Sequence, residues 1–290
     1  MSSQSQSYVQ TTVGMKWLLY IASALVLLIG LTLFLFPGRT DTLFSWTVNP
    51  PLTAAFLGAA YLAAFVLEFL SAREVLWSRA RLAVPAVLLF TLLTLVATLL
   101  HIDKFHFGPA FSLFTQAGTW VWLLVYAIVP VAMLVLLVLQ LRVPGIVPPR
   151  AAPMPGWIRL VFAIQSAVMV LLGIALFVAP AVTAEVFWPW QLSALTGRAI
   201  GAWLIGVGVA AGHIAWENDW PRVRAGTLSL AVFAGLELVA LARSALARSP
   251  AYEQPVVGWG DPRAWIYLLV LLSLLAAGTY GWWAARQAAR

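Results

Sequence analysis

The chain contains no cysteine, and only three of its 290 residues are histidine. The first absence excludes disulfides, thiolate nucleophiles and cysteine-ligated metals. The two together leave few ligands for metal or covalent chemistry. No nucleophile–base–acid set, phosphate-binding loop or haem-type histidine pair can be assembled from what remains. Charge is scarce too. Charged residues make up 9% of the chain and apolar residues 62%, whereas a soluble domain carries roughly a quarter charged residues. So few charges cannot coat a water-facing surface. The net charge of +7 comes with no basic helix and no aromatic platform, so it does not point to nucleic acid. No cofactor is implied.

What the sequence does have is long apolar runs. Leu18–Phe36, Leu82–Leu100 and Val121–Leu141 are free of charge, and each has about the 20 residues that cross a bilayer as a helix. This reads as an all-α integral membrane protein. The first run follows Lys16, is longer than a signal-peptide core, and has no clear small-residue cleavage site after it. It is therefore expected to be a true span.

The chain also looks written twice. Pro37 and Pro180 stand 143 positions apart, and the same offset returns Gly30/Gly173, Phe34/Phe177, Gly58/Gly201, Glu74/Glu217, Trp77/Trp220, Arg79/Arg222, Arg81/Arg224 and Phe90/Phe233. The pattern E-x-x-W-x-R-x-R occurs at Glu74–Arg81 and again at Glu217–Arg224. Expected spans are 17–36, 52–71, 82–100 and 119–141 in the first copy. In the second they are 157–179, 195–215, 225–242 and 264–285. The organisation expected is a tail over 1–16, a first four-helix repeat over 17–141, a Pro-rich linker over 142–156 and a second repeat over 157–290. Pro85 and Pro130 fall inside spans, where a missing N–H predicts kinks. An even number of helices per copy gives two tandem four-helix repeats in parallel orientation, related by an axis along the membrane normal.

Loop charges set the orientation. One side holds Lys16, Arg73, Arg79, Arg81, Arg142, Arg150, Arg159, Arg222, Arg224, Arg286 and Arg290. The other holds Arg39, Lys104, Arg198, Arg243, Arg248 and Arg263. Both termini are thus expected to be cytoplasmic, in the plasma membrane. Tryptophans, which favour the headgroup level, gather at the expected span ends; only Trp203 lies well inside a span.

A few polar residues need an explanation. Arg198 and Glu237 fall inside neighbouring spans, at positions that are Ala55 and Thr94 in the first copy. Intramembrane charges face a partner or a wet cavity. The expectation is a direct or water-bridged Arg198–Glu237 contact beside Trp203, either a buried ion pair or a ligand-binding or proton-handling site. Glu68, near a span end and five residues before Arg73, reads as a headgroup-level carboxylate. His101, Asp103 and His106 in one loop could ligate a metal, although Lys104 opposes a cation there. Arg79, Arg81, Arg222 and Arg224, with Trp77 and Trp220, are expected to contact anionic lipid headgroups on the cytoplasmic side. Gly197, Gly201, Gly208 and Gly212 share one helix face, which suits close packing on another helix or a homodimer partner.

Three functions follow as alternatives. The first is a non-enzymatic protein that binds or moves a small or lipidic ligand. The second is a structural or accessory subunit with a protein partner. The third is a lipid-modifying enzyme using the loop histidines.

Overall fold

The structure, a computed structural model, describes residues 7–246 and 256–288. Arg248 and Arg290 of the charge tally lie outside them. The fold is all-α, and eight helices are long and apolar enough to cross a membrane. They are numbered here α1 (Val13–Leu35), α2 (Pro51–Arg73), α3 (Ala83–Leu100), α4 (Leu113–Leu141), α5 (Gly156–Val178), α6 (Ala194–Glu217), α7 (Trp220–Leu246) and α8 (Pro262–Gln287). Shorter helical segments are referred to by residue number.

Most boundaries fall near the apolar runs; two move. Helix α4 begins at Leu113 because the Ser112 hydroxyl caps it, accepting from the Thr115 N–H at 3.1 Å. Helix α7 begins at Trp220 because α6 ends in a tight reversal, with Asn218 left-handed at φ 47°. Its Pro221 sits in the first turn, where no N–H is required. Pro85 likewise falls in the first turn of α3, so the kink expected there has no cause. Pro130 is interior to α4.

Four helices form the centre and four the outside. Helix α2 packs on α7, α3 packs on α6, and α6 touches α7. The outer helices lie against them: α1 on α2, α4 on α3, α5 on α6 and α8 on α7. Of the most apolar stretch of α2, 78% is buried, against 22% for α4. Composition explains the order. Helix α2 carries Ala54, Ala55, Ala59, Ala60, Ala63 and Ala64, all buried. Small side chains let backbones approach, and in lipid that contact is a main source of helix association. Helix α4 presents Val121, Leu124, Ile128, Val131 and Leu134 outward, as a lipid-facing helix should.

The closest approaches are at glycine. A methyl group on Gly58 would stand 2.5 Å from the Phe34 nitrogen of α1. One on Gly201 would stand 2.7 Å from the Gly173 oxygen and 2.9 Å from the Phe177 nitrogen of α5. The glycine face of α6 therefore packs on α5, the preceding long helix, with Gly208 against Val170 and Gly212 against Ser166.

One end of the bundle, the linker face, is tied by hydrogen bonds. The Trp77 N–H donates to the Val9 carbonyl at 3.1 Å, and the Trp220 N–H to the Ala152 carbonyl at 3.0 Å. Asp219 Oδ1 accepts from the Ala151 and Ala152 N–H groups, both at 2.8 Å. Arg81 grips both oxygens of Glu217, with its Nη2 at 2.9 Å from Oε2. Arg222 reaches Glu217 at 3.2 Å and Asp219 at 3.2 Å. Arg150 donates to the Glu217 carbonyl at 2.8 Å. The headgroup contacts expected of Arg81, Arg222, Trp77 and Trp220 are thus replaced by contacts inside the protein. The arginines find buried carboxylates, and both indoles are enclosed. Arg79 and Arg224 remain exposed.

Gly201→Leu is expected to lower the melting temperature in detergent, because a side chain there forces α5 and α6 apart at a cost of about 1–3 kcal/mol. Gly118→Leu, at a position open on all sides, is the control. Equal melting of the two variants would mean that the α5–α6 approach contributes nothing.

Candidate functional site

The seam between the central helices encloses two carboxyl groups. Glu68, on α2, is 1% exposed, and Glu237, on α7, is 0% exposed. At about 1.5 Å rise per residue, Glu68 stands about 7 Å from the linker-face end of its helix. Glu237 stands about 13 Å from the opposite, far end of α7. The two therefore occupy different halves of the bundle's depth.

Glu68 was expected at headgroup level and is instead buried. Its side chain turns into the bundle rather than outward. It lies on the face of α2 that turns to the other central helices, in phase with Tyr61 seven residues earlier. No described residue donates a hydrogen bond to its side chain, and Oε2 is buried without a partner. It lines two small cavities. One, of about 40 Å³, lies between the central helices and is walled by Ala63, Phe90, Trp203, Gly206 and Ser229. The other, of about 30 Å³, is bounded by α1, α3 and α4 through Ala22, Ile29, Thr91 and Tyr126. The Tyr126 hydroxyl is bonded to that of Tyr61 at 2.6 Å. Trp203 stacks on Phe90 with centroids 3.8 Å apart and meets Tyr61 edge-on at 4.8 Å. Trp203 thus belongs to this cavity, as a wall.

Glu237 takes one hydrogen bond, from the Tyr267 hydroxyl of α8 to Oε2 at 2.9 Å. Its Oε1 is buried without a partner. The Tyr267 ring packs edge-on against Trp188 and Trp190 at 5.6 and 5.4 Å. Trp190 donates to the Thr53 hydroxyl at 2.8 Å. These two tryptophans also line a cleft of about 820 Å³ at the far face, with Asn49, Glu185, Ser193 and Arg263. An aromatic layer thus separates Glu237 from the cleft.

The expected Arg198–Glu237 contact is not formed. Arg198 donates to His101 Nε2 at 2.8 Å, at the end of α3, while Glu237 turns to α8. The residues belong to neighbouring helices and similar depths, but they face opposite ways round the bundle. Nor do the loop residues form a metal centre. Asp103 pairs with Lys104 at 3.0 Å, and His101 is engaged by Arg198. His106 is buried with both ring nitrogens occupied, Nδ1 against the Phe44 carbonyl at 2.9 Å and Nε2 against the Thr47 hydroxyl at 3.1 Å. Among the described residues no cluster of three metal-ligating side chains is found.

The Phe44 carbonyl can only accept, so Nδ1 of His106 carries a proton; in the neutral ring Nε2 accepts from the Thr47 hydroxyl. Burial also pushes the ring's titration below its ordinary value of about 6.5. His101 is shifted the same way, by burial and then by the Arg198 charge.

The residues that sequence reasoning missed are Tyr61, Tyr126, Tyr267 and Ser229, with Glu68 misplaced. The seven-residue spacing of Tyr61 and Glu68 within an alanine-rich helix was the one available signal.

A double-mutant cycle of Arg198→Leu and Glu237→Leu, read by melting in detergent, is expected to be additive to within about 0.3–0.5 kcal/mol, as for residues without a shared partner. A larger coupling would restore the ion pair.

A second expectation concerns pH. Above about pH 6.5 His106 is neutral folded and unfolded and adds no pH dependence. Below that, the unfolded chain takes up the proton first, so stability falls until the folded ring is protonated as well. The melting temperature should therefore drop more between about pH 7 and pH 5 in the wild type than in His106→Gln. Equal drops would exclude His106 as the source.

No protein-family model matches this chain, and neither a curated protein nor a solved structure matches it.

Proposed function

We propose that this chain is a non-enzymatic multi-pass membrane protein that binds, and moves through part of the bilayer, a small ligand in the seam between two duplicated halves. The observation that carries the reading is the pair Glu68 and Glu237. Both are buried, neither has a cationic partner among the described residues, and each has an oxygen without a hydrogen bond. An unpaired buried polar group costs about 1–3 kcal/mol. A scaffold gains nothing by keeping two of them, whereas a binding site does.

The halves are 17–141 and 157–290, joined by 142–156 and inserted in parallel. Support comes from contacts that recur at the 143-residue offset. Gly58 meets Phe34 as Gly201 meets Phe177, and Gly30 meets Leu62 as Gly173 meets Ile205. Trp77 bonds Val9 as Trp220 bonds Ala152. Across the seam, Ser229 meets Ala63 as Gly206 meets Ala86. The exchange of third helices between halves, α7 on α2 and α3 on α6, is what a two-fold axis along the membrane normal produces. The loop charges put both termini, and hence the linker face, on the cytoplasmic side of the plasma membrane. Exposed Arg79 and Arg224 are the arginines left for anionic headgroups there.

An accessory-subunit role is the second reading, favoured by the small volume of the seam cavities, about 40 and 30 Å³. The enzyme reading has no support in the geometry: both ring nitrogens of His106 and the Nε2 of His101 are engaged within the protein.

The test is a melting screen of the purified chain against alkali cations, alkylammonium ions and neutral lipids at several pH values. At least one is expected to stabilise the wild type, by about 2.7 kcal/mol at a hundred times its dissociation constant. It should not stabilise Glu68→Gln or Glu237→Gln. No stabilisation by any of them, with a second protein purifying in fixed ratio, would favour the accessory role instead.

A further inference from the structure

We propose that Glu68 is a proton-binding site that exchanges with water at the linker face, so that one ligand of the seam is the proton itself. The inference rests on the reading of the seam as a ligand site and names the ligand.

Three independent features converge on this side chain. The first is its isolation. An isolated carboxylate in hydrocarbon is prohibitively costly, and among the described residues Glu68 has no arginine or lysine to pair with. It is therefore accommodated as the acid or together with a small cation. The second is space. Glu68 lines both the central cavity of about 40 Å³ and the lateral one of about 30 Å³, whose walls are otherwise mainly apolar. A space above about 10–15 Å³ has room for a water. The carboxyl is its first polar partner there, with the Ser229 hydroxyl in the one and the Thr91 and Tyr126 hydroxyls in the other. The third is a second unsatisfied polar group on the linker-face side. Ser71, three residues on and thus on the same helix face, is 0% exposed and its hydroxyl has no partner. It stands between Glu68 and the linker face.

The groups around Glu68 leave it the sole acid. Helix α4 contributes Tyr126, bonded to Tyr61 of α2 itself. Helix α3 contributes the Thr91 hydroxyl and α7 the Ser229 hydroxyl; α1 and α6 line the cavities with apolar side chains alone. The charged groups of these elements stand elsewhere. Lys16, Arg73, Arg81, His213, Glu217, Arg222 and Arg224 are at the linker-face ends, and Arg198, Glu237 and Arg243 are in the far half. Binding is a proton transfer from hydronium to a carboxylate oxygen, which leaves water in the cavity and a neutral acid in the membrane. Release is the reverse.

The experiment uses the full chain in phosphatidylcholine vesicles with dicyclohexylcarbodiimide, an apolar reagent for protonated carboxyls. The acid's proton passes to a carbodiimide nitrogen and its oxygen bonds to the central carbon. The product rearranges to a stable N-acylurea with no leaving group. Peptide mass spectrometry is expected to find the adduct on Glu68, with a rate that falls as pH is raised, approaching tenfold per pH unit. Glu68→Asp should keep a pH-dependent adduct at that position, and Glu68→Gln should lose it. Absence of the adduct on wild-type Glu68, or a rate that does not change with pH, would overturn the proposal. A seam ligand found in the melting screen alongside a negative labelling result would refute the proton site alone. Failure of both would remove the seam reading as well.

Discussion

Close backbone approach between helices is the constraint on which the rest of this structure depends. Lipid tails are as apolar as leucine, so burying leucine against leucine gains little in a membrane. What holds the bundle is van der Waals contact at short range. Gly58 against Phe34 and Gly201 against Gly173 and Phe177 permit it. Alanines along α2 extend the same logic into the centre. A core built of such small residues is dense but leaves occasional gaps, and the two small cavities beside Glu68 are gaps of that kind. The packing that stabilises the fold and the space proposed to admit a ligand thus have one origin.

Polar contacts then decide how the pieces are joined. At the linker face the Glu217 carboxylate is held by Arg81 from one half and by Arg222 and His213 from its own. The linker carbonyls and N–H groups fasten onto the same corner through Arg150, Asp219 and Asn218. The donors and acceptors of this cluster are matched, which is the condition for a buried charge network to be tolerable. Deeper in the seam two carboxyls, Glu68 and Glu237, break the rule, each with one buried oxygen that no described residue reaches. The contrast matters because the same chain shows that it can satisfy a buried carboxylate when structure alone requires it.

The sequence made the spans legible, since an apolar run of bilayer length has few alternative readings. The glycine face of α6 was legible as well, because a four-residue spacing fixes a helix face. Helix ends were less so: the Ser112 cap and the Asn218 reversal are local events outside the apolar runs. What could not be read was direction around the bundle. Depth follows from counting residues along a helix, and it set Arg198 and Glu237 at compatible heights. Whether two side chains face each other depends on the rotation of each helix about its own axis, and that is set by packing against several neighbours at once. Arg198 turns to α3 and Glu237 to α8. The same blindness made Glu68 look like a surface group, when its helix is the most enclosed of the eight.

The proposed duplication offers an internal control on the two carboxyls. At the 143-residue offset, Glu68 corresponds to Ala211 and Glu237 to Thr94, while Tyr61, Tyr126 and Tyr267 correspond to Leu204, Leu269 and Leu124. Each half therefore builds its share of the same scaffold without the acid and tyrosines that the other half carries. If a carboxyl at either position were needed for helix packing, its counterpart would face the same need, and an alanine meets it in one case and a threonine in the other. Each acid also stands beside a tyrosine that only its own half carries. Glu237 accompanies Tyr267, which bonds it, and Glu68 accompanies Tyr126, which shares its cavity. Each acid thus belongs to a small polar unit, one near the linker face and one near the far cleft. On the reading proposed above, the seam is a duplicated frame with two such units at two depths.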